Sequence, residues 1–322
     1  MLDQAFTVLQ IPADQLEVTP GRIAGGILVL STLSGSVLML SQWWKRTQNQ
    51  QEWIPAAQRQ PLFVPSLLLL FGLVLTTYMA AVSLSVSGEP AVPAANPTPA
   101  DIEKIITRTL SYNATLLIIF GSVIFLAQQG RSRHLEVPET PSAPSAPDVV
   151  ASQTFEDTDP PNTEPTSVSA HEAWNLTTEL RYAVETFLVA YLPTVGLRLT
   201  VVSFQPDAPS HPFLKMLNEG VEVHLVVLIA TMAVVVAPIV EELLFRVTVL
   251  GGLIGRHSAN AGLVTSSVLF SLAHGFPDSI ALLPLAFAIG YAYRQRRSYR
   301  TVALIHLLFN GFNLLVAGLS LV

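Results

Sequence analysis

The chain has 322 residues, of which half are hydrophobic and only 12% charged, with a formal net charge of -6 and a mean hydropathy of +0.49. Charged residues make up about a quarter of a soluble domain, so this composition excludes an ordinary soluble fold and points to a multi-pass integral membrane protein. It has no cysteine, which excludes disulfides, a thiolate nucleophile and a Cys-ligated metal.

Met1 to Pro20 read as a loose or interfacial segment. Asp3, Asp14 and Glu17 stand where a secretory signal needs basic residues, so the first apolar stretch is expected to remain as an anchor. Spans are expected at about 23–44, 62–86 and 110–126. The first closes on Trp43-Trp44-Lys45-Arg46, aromatic residues followed by basic ones, as at a cytoplasmic membrane interface. The Pro-rich loop from Gly88 to Pro99 separates the second span from the third. From 131 to 171 Pro alternates with Ser, Thr, Ala, Glu and Asp, a composition that cannot bury enough apolar surface to order itself. This predicts three regions: an N-terminal three-span region over 1–130, a disordered linker over 131–171 and a membrane domain over 172–322.

In the last region spans are expected at about 180–202, 221–254, 261–274, 280–293 and 301–321. The fourth is less apolar, with Arg181, Glu185 and Arg198, and part of it is expected to face protein or the interface. The fold class is therefore an all-α polytopic transmembrane bundle of about eight spans. With the N-terminus outside, Lys45, Arg46, Arg59, Arg131, Arg133, Arg256, Arg294, Arg296, Arg297 and Arg300 all fall on the inner side. The run from Arg294 to Arg300 thus reads as a cytoplasmic loop, and nucleic acid is not an expected partner. The lipid bilayer is, in the cell membrane if the source is bacterial.

One span breaks the apolar rule. Glu241, Glu242 and Arg246 sit between Val226–Ala237 and Val247–Leu250. Three ionised groups near the midplane cost about 8–10 kcal/mol on insertion scales before any pairing. Glu242 and Arg246 are spaced i, i+4 and can pair on one helix face, whereas Glu241 lies about 100° away and needs a partner from another helix. Phe270 and His274 repeat the i, i+4 spacing in the sixth span. His306, Asn310 and Asn313 form a polar stripe on the eighth. Taken singly these are an ion pair, an interfacial histidine and interhelical hydrogen-bonding residues. Three spans that each carry polar groups are better explained by one shared interior site. Neither a His-Glu-x-x-His nor a Gly-x-Ser-x-Gly pattern is present.

Glu241-Glu242-x-x-x-Arg246, Phe270-x-x-x-His274 and His306-x-x-x-Asn310 resemble, in order and spacing, the three motifs of the CPBP family, the CAAX-protease and bacteriocin-processing intramembrane proteases also called Abi. The resemblance covers about 221–321. Val247 departs from it, standing where many members have a small residue. It implies a catalytic core in the C-terminal four to five helices and an endopeptidase acting on membrane-associated proteins or peptides. By resemblance Glu241 is the base that orients water with His274, and Glu242 supports it. Arg246 is the counter-ion, Phe270 gives structural support, and His306 with Asn310 holds water or donates to an oxyanion. Glu241, His274 and His306 could also form a three-ligand zinc site with an open fourth position. A glutamate–water mechanism needs no metal and is slightly preferred. The alternatives are a non-proteolytic scaffold or immunity protein and an ion-coupled transporter that uses the same groups. A further reading treats the first three spans as a docking module. Neither the substrate nor its prenylation is legible in the chain.

Overall fold

A computed structural model describes residues 19–87, 99–135, 174–204 and 223–320. The expectations for the N-terminal segment, the loop after Gly88, most of the Pro-rich linker and the loop around Lys215 lie outside these residues. The described chain is helical, with no strand. It forms α1 (Pro20–Gln48), α2 (Ser66–Ser87), α3 (Pro99–Leu135), α4 (Leu176–Phe204), α5 (Val223–Ile254), α6 (Ala259–Leu272), α7 (Asp278–Arg296) and α8 (Tyr299–Leu319). Six of these are long and apolar enough to cross a bilayer. α6 and α7 are the other two of the eight expected spans. α3 runs past the expected boundary at 130 to Leu135, since the first proline of the linker is Pro138 and nothing before it breaks the helix.

Helix starts follow capping chemistry. Thr19, Ser258 and Ser298 each accept a hydrogen bond from the amide of Arg22, Ala261 and Thr301, at 3.2, 3.1 and 3.2 Å. α6 has only 14 residues, a rise of about 21 Å against a hydrocarbon core of about 30 Å. It is therefore too short to cross the hydrocarbon alone, and the chain turns after it through Gly275 at φ 72°. Glycine is suited to that left-handed position.

One buried apolar cluster joins the whole bundle, with Trp43 of α1, Leu68 of α2 and Phe120 of α3 packed into the same core as Leu250, Tyr293 and Phe309. α1 lies against α4 and α8, and α2 against α5 and α6. The three N-terminal helices thus share the core and are not a separately packed module. α2 approaches α5 closely: a Cβ on Gly72 would stand 2.8 Å from Thr248 Cγ2, and one on Gly252 2.8 Å from Leu69 Cδ1. Small residues at such crossings let backbones meet where lipid gives no hydrophobic drive for association.

α5 is not a uniform helix. It switches to π-helical geometry over Met232–Val236 and again over Glu242–Gly251. In the first segment Ala237 donates to the Met232 carbonyl, five residues back. The next carbonyl, Ala233, then faces Pro238, which has no N–H. Asn310 Nδ2 on α8 donates to it at 2.8 Å. Other carbonyls of α5 are met in the same way. Tyr299 OH donates to Ile239 at 2.7 Å, Ser266 Oγ to Phe245 at 2.7 Å, and Thr248 Oγ1 to Leu243 at 3.0 Å. The second stretch, Glu242–Gly251, is buried throughout, so protein and not lipid surrounds its irregular backbone.

The basic residues expected on one face gather at one end of the bundle, around residues 49–65. Arg131 donates to Gln60 at 3.2 Å and Arg256 to the Val64 carbonyl at 2.9 Å. Glu179, fully buried at the start of α4, binds Arg59 and Arg296 at 2.7 Å each and accepts from Thr301 at 2.6 Å. Arg296 also donates to the Pro55 carbonyl at 3.1 Å and lies over the Tyr182 ring at 4.7 Å. Sequence reading placed Arg296 in a cytoplasmic loop, yet it is one of the largest fully buried side chains among the described residues. A carboxylate on a neighbouring helix, far away in sequence, is what allows that.

Two stability tests follow from these contacts. Glu179→Ala leaves two guanidiniums without their shared carboxylate and should cost about 3–5 kcal/mol, read as a lowered melting temperature in detergent. Lys45→Ala, on the exposed surface, should leave that temperature nearly unchanged. Asn310→Leu should cost about 1–3 kcal/mol by stranding the part-buried Ala233 carbonyl. The loss should shrink in a Pro238→Ala background, where position 238 regains a donor. Equal losses in both backgrounds would contradict the assignment.

Candidate active site

The residues singled out on three spans converge on the second π-helical stretch of α5. Glu242 and Arg246 are both wholly buried, with Arg246 Nε 3.3 Å from Glu242 Oε2. The contact is an ion pair and not an aligned hydrogen bond, since neither Glu242 Oε2 nor Arg246 Nε has a hydrogen-bond partner. The guanidinium is held from two other sides. Its carbon lies 4.3 Å over the Phe270 ring, and Nη2 donates to the Ala286 carbonyl of α7 at 3.4 Å. A cation on an aromatic face gains more as it is desolvated. Phe270 itself is fully buried, edge-on to Phe245 at 5.2 Å and to His306 at 5.6 Å. The residue expected as structural support therefore underlies Arg246, His306 and His274 together.

His306, one-third of the way along α8, places Nδ1 2.8 Å from Glu242 Oε1. His274 sits on the turn just after α6 with Nδ1 2.8 Å from the Phe270 carbonyl. A carbonyl can only accept, so this Nδ1 carries the proton and a neutral His274 presents a lone pair at Nε2. Both rings thus have Nδ1 engaged and Nε2 turned toward Glu241. Glu241 Oε2 lies 3.8 Å from each of these nitrogens. That oxygen is buried and has no hydrogen-bond partner, while the side chain as a whole is about a quarter exposed. Glu241, His274 and His306 therefore bring one carboxylate oxygen and two imidazole nitrogens together, with His274 and Glu241 partly exposed. Glu242 and Arg246, beside them, are sealed from solvent.

The remaining expected residues take other positions. The Asn310 amide donates to Ala233, so it holds the glutamate helix through the backbone. Asn313 Nδ2 donates to the Phe309 carbonyl of its own helix at 2.8 Å. Tyr299 escaped sequence reading although it precedes His306 by seven residues, two turns along the same face. Ser266 also escaped, a single hydroxyl in a Ser-rich helix. Its role depends on a π-helical carbonyl that no local pattern announces.

The carboxylate oxygen and the two imidazole nitrogens can be tested against zinc. Imidazoles that are oriented through Nδ1 and present Nε2, together with one carboxylate oxygen, fit a catalytic zinc site in donor type. The 3.8 Å separations exceed the roughly 3.3 Å edge of a tetrahedron built on zinc bonds of about 2.0–2.1 Å. Among the described residues no group of three His, Cys, Asp or Glu side chains is close enough to form a metal cluster as it stands. The donor set fits in kind and would need to close by a few tenths of an ångström.

Residues 223–312 match a family model described as "Rce1-like: Type II CAAX prenyl endopeptidase Rce1-like". No curated protein and no solved structure matches the chain. The matched segment contains Glu241, Glu242, Arg246, Phe270, His274, His306 and Asn310, and it begins where α5 begins. This segment, a little over a quarter of the chain, is therefore similar to the type II CAAX prenyl endopeptidases.

Proposed function

We propose that this protein is an intramembrane endopeptidase that hydrolyses peptide bonds of membrane-associated proteins or peptides, with Glu241 as the base that activates water. The observation that carries this reading is the unpartnered Glu241 Oε2, 3.8 Å from both His274 Nε2 and His306 Nε2. Water lying among these atoms meets a proton acceptor in Glu241, as general base catalysis requires. Three acceptors face a molecule with two protons, so one further proton on the site converts an imidazole Nε2 into a donor. That donor is placed for the oxyanion that forms as water adds to the peptide carbonyl. Glu242 holds His306 in the required orientation, and Arg246 balances Glu242 without competing for Glu241. The burial of this pair keeps water away from the Glu242 side of the site, whereas Glu241 and His274 are partly exposed.

A zinc ion would be held by Glu241 Oε2, His274 Nε2 and His306 Nε2. It would supply Lewis acidity and a more acidic bound water. The metal-free form is the one we favour, because the 3.8 Å separations are wider than a zinc coordination shell would set. The substrate class we infer is a peptide segment tethered to the membrane. Whether its anchor is a prenyl group, as the family description implies, is decided by substrate assays and not by any residue named above.

Glu241→Gln keeps the side-chain shape and removes the base. Cleavage of a membrane-tethered reporter peptide should fall by about 10²–10⁴-fold with the melting temperature in detergent unchanged. Retention of the wild-type rate would exclude Glu241 as the base. Elemental analysis of the purified protein should find substoichiometric zinc, and chelator treatment should leave cleavage intact. Stoichiometric zinc, lost together with activity on chelation, would replace the metal-free form with the zinc form.

A further inference from the structure

A second concave site lies away from the glutamates, between α1, α4, α6 and α7. It is an apolar crevice of about 420 Å³, within the range of about 300–1,000 Å³ typical of ligand sites. Its walls include Leu40, Val189, Leu263 and Phe287, with Pro193 and Pro284, the helix-interior prolines of α4 and α7. At the basic end of the bundle it is framed by Trp43, Trp53 and Tyr291. The two indoles stack at 5.0 Å, and the tyrosine ring lies 5.2 Å from Trp53. Such aromatics settle at the headgroup level.

Next to this mouth is a polar pocket of about 440 Å³ lined by Arg46, Gln51, Glu52, Pro55, Arg181 and Tyr182. Arg46 lines this second pocket, and its guanidinium donates to the carbonyl of Trp53, which lines the first. Arg46 and Arg181 share one carboxylate, Glu185, at 3.4 and 2.9 Å. Glu52 is turned to the Ala56 amide at 3.1 Å. Arg181 remains two-thirds exposed, and Lys45 stands beside Arg46. The segment that carries Trp53 and Glu52 is built in. Trp53 Nε1 donates to Thr47 at 2.6 Å, Ala57 to the Gln295 carbonyl at 2.8 Å, and Arg296 to Pro55. The buried Glu179 network described above therefore fixes the wall between the two cavities.

We propose that this composite crevice binds one phospholipid with an anionic headgroup, its acyl chain along α4 and α7 and its phosphate at Arg46 and Arg181. An apolar crevice with aromatic rings at one end, beside a pocket that carries two guanidiniums, matches an amphiphile in both halves. The surrounding charge selects the sign: the described residues of this end carry many Arg and Lys side chains against Glu52, Glu179 and Glu185, and Glu179 is fully engaged. Basic pockets between transmembrane helices recognise anionic headgroups by this complementarity. None of the lining residues belongs to the glutamate site, so the inference stands apart from the proposed catalysis. Ala288 lines the crevice while Ala286, on the other face of α7, receives Arg246. A lipid seated here therefore abuts the helix that holds the counter-ion of the site.

Three of the four tryptophans line this crevice, so intrinsic fluorescence reports its occupancy. The full-length chain, reconstituted in phosphatidylcholine vesicles, would be titrated with phosphatidylglycerol or further phosphatidylcholine brominated on the acyl chains. Brominated phosphatidylglycerol should quench at roughly five-fold lower mole fraction. Arg181→Gln, on an exposed side chain, should abolish most of that preference. Ala288→Phe should lower quenching by both lipids by filling the crevice. Equal quenching by the two lipids in the wild type would mean that any bilayer chain, or annular lipid alone, occupies the surface, and would overturn the proposal. So would an unchanged headgroup preference in both variants.

Discussion

Everything at the centre of this bundle depends on the buried pairing of Glu242 with Arg246. Neither charge could remain in hydrocarbon alone, and breaking such a pair leaves an uncompensated ion that costs several kcal/mol. The pair is held from all sides: His306 on one carboxylate oxygen, the Phe270 face beneath the guanidinium, and the Ala286 carbonyl beyond it. Because these partners come from α6, α7 and α8, the pair also fixes how the four C-terminal helices meet. Its neutrality has a chemical consequence. Arg246 is occupied by the neighbouring carboxylate, so Glu241 keeps an oxygen without a hydrogen-bond partner, facing two imidazole nitrogens. Adjacent glutamates thus take different roles through one helical step of about 100°.

The same constraint explains the backbone of α5. A π-helical stretch forfeits regular hydrogen bonding, and a proline removes a donor outright. Within lipid these losses must be made good by protein. Asn310, Tyr299 and Ser266 do so for Ala233, Ile239 and Phe245, spaced along the helix that carries the glutamates. The side chains that look like catalytic polar groups and those that repair the backbone lie on the same face of α8. Orientation of the site and tolerance of its irregular helix are therefore a single packing solution.

A second set of buried charges organises the basic end. Glu179 gathers Arg59, Arg296 and Thr301 and so anchors the non-helical segment between α1 and α2 against α4, α7 and α8. That anchorage seats Trp53 on Trp43, between an apolar crevice and the pocket lined by Arg46 and Arg181. The two polar clusters share no residue, and α7 touches both through Arg296 and Ala286.

Much of this was legible in the sequence, for physical reasons. Spans announce themselves because hydrocarbon demands about 20 apolar residues per helix, so the six long helices emerged with boundaries shifted by only a few residues at most ends. Glu241, Glu242, Arg246, Phe270, His274 and His306 stood out because ionisable groups are costly in lipid and because their spacing put pairs on common faces. The family match at 223–312 fell on those same motifs. Tertiary structure decided what spacing could not. It gave Asn310 a backbone carbonyl as its partner, since a π-helical register leaves no mark in local sequence. It buried Arg296, which a basic run with the look of a loop had hidden, because its partner Glu179 lies 117 residues away. It brought the first three helices into one core with the rest. Sequence alone determined which residues could not afford to be alone in a membrane; only the packed bundle determined which partner each one found.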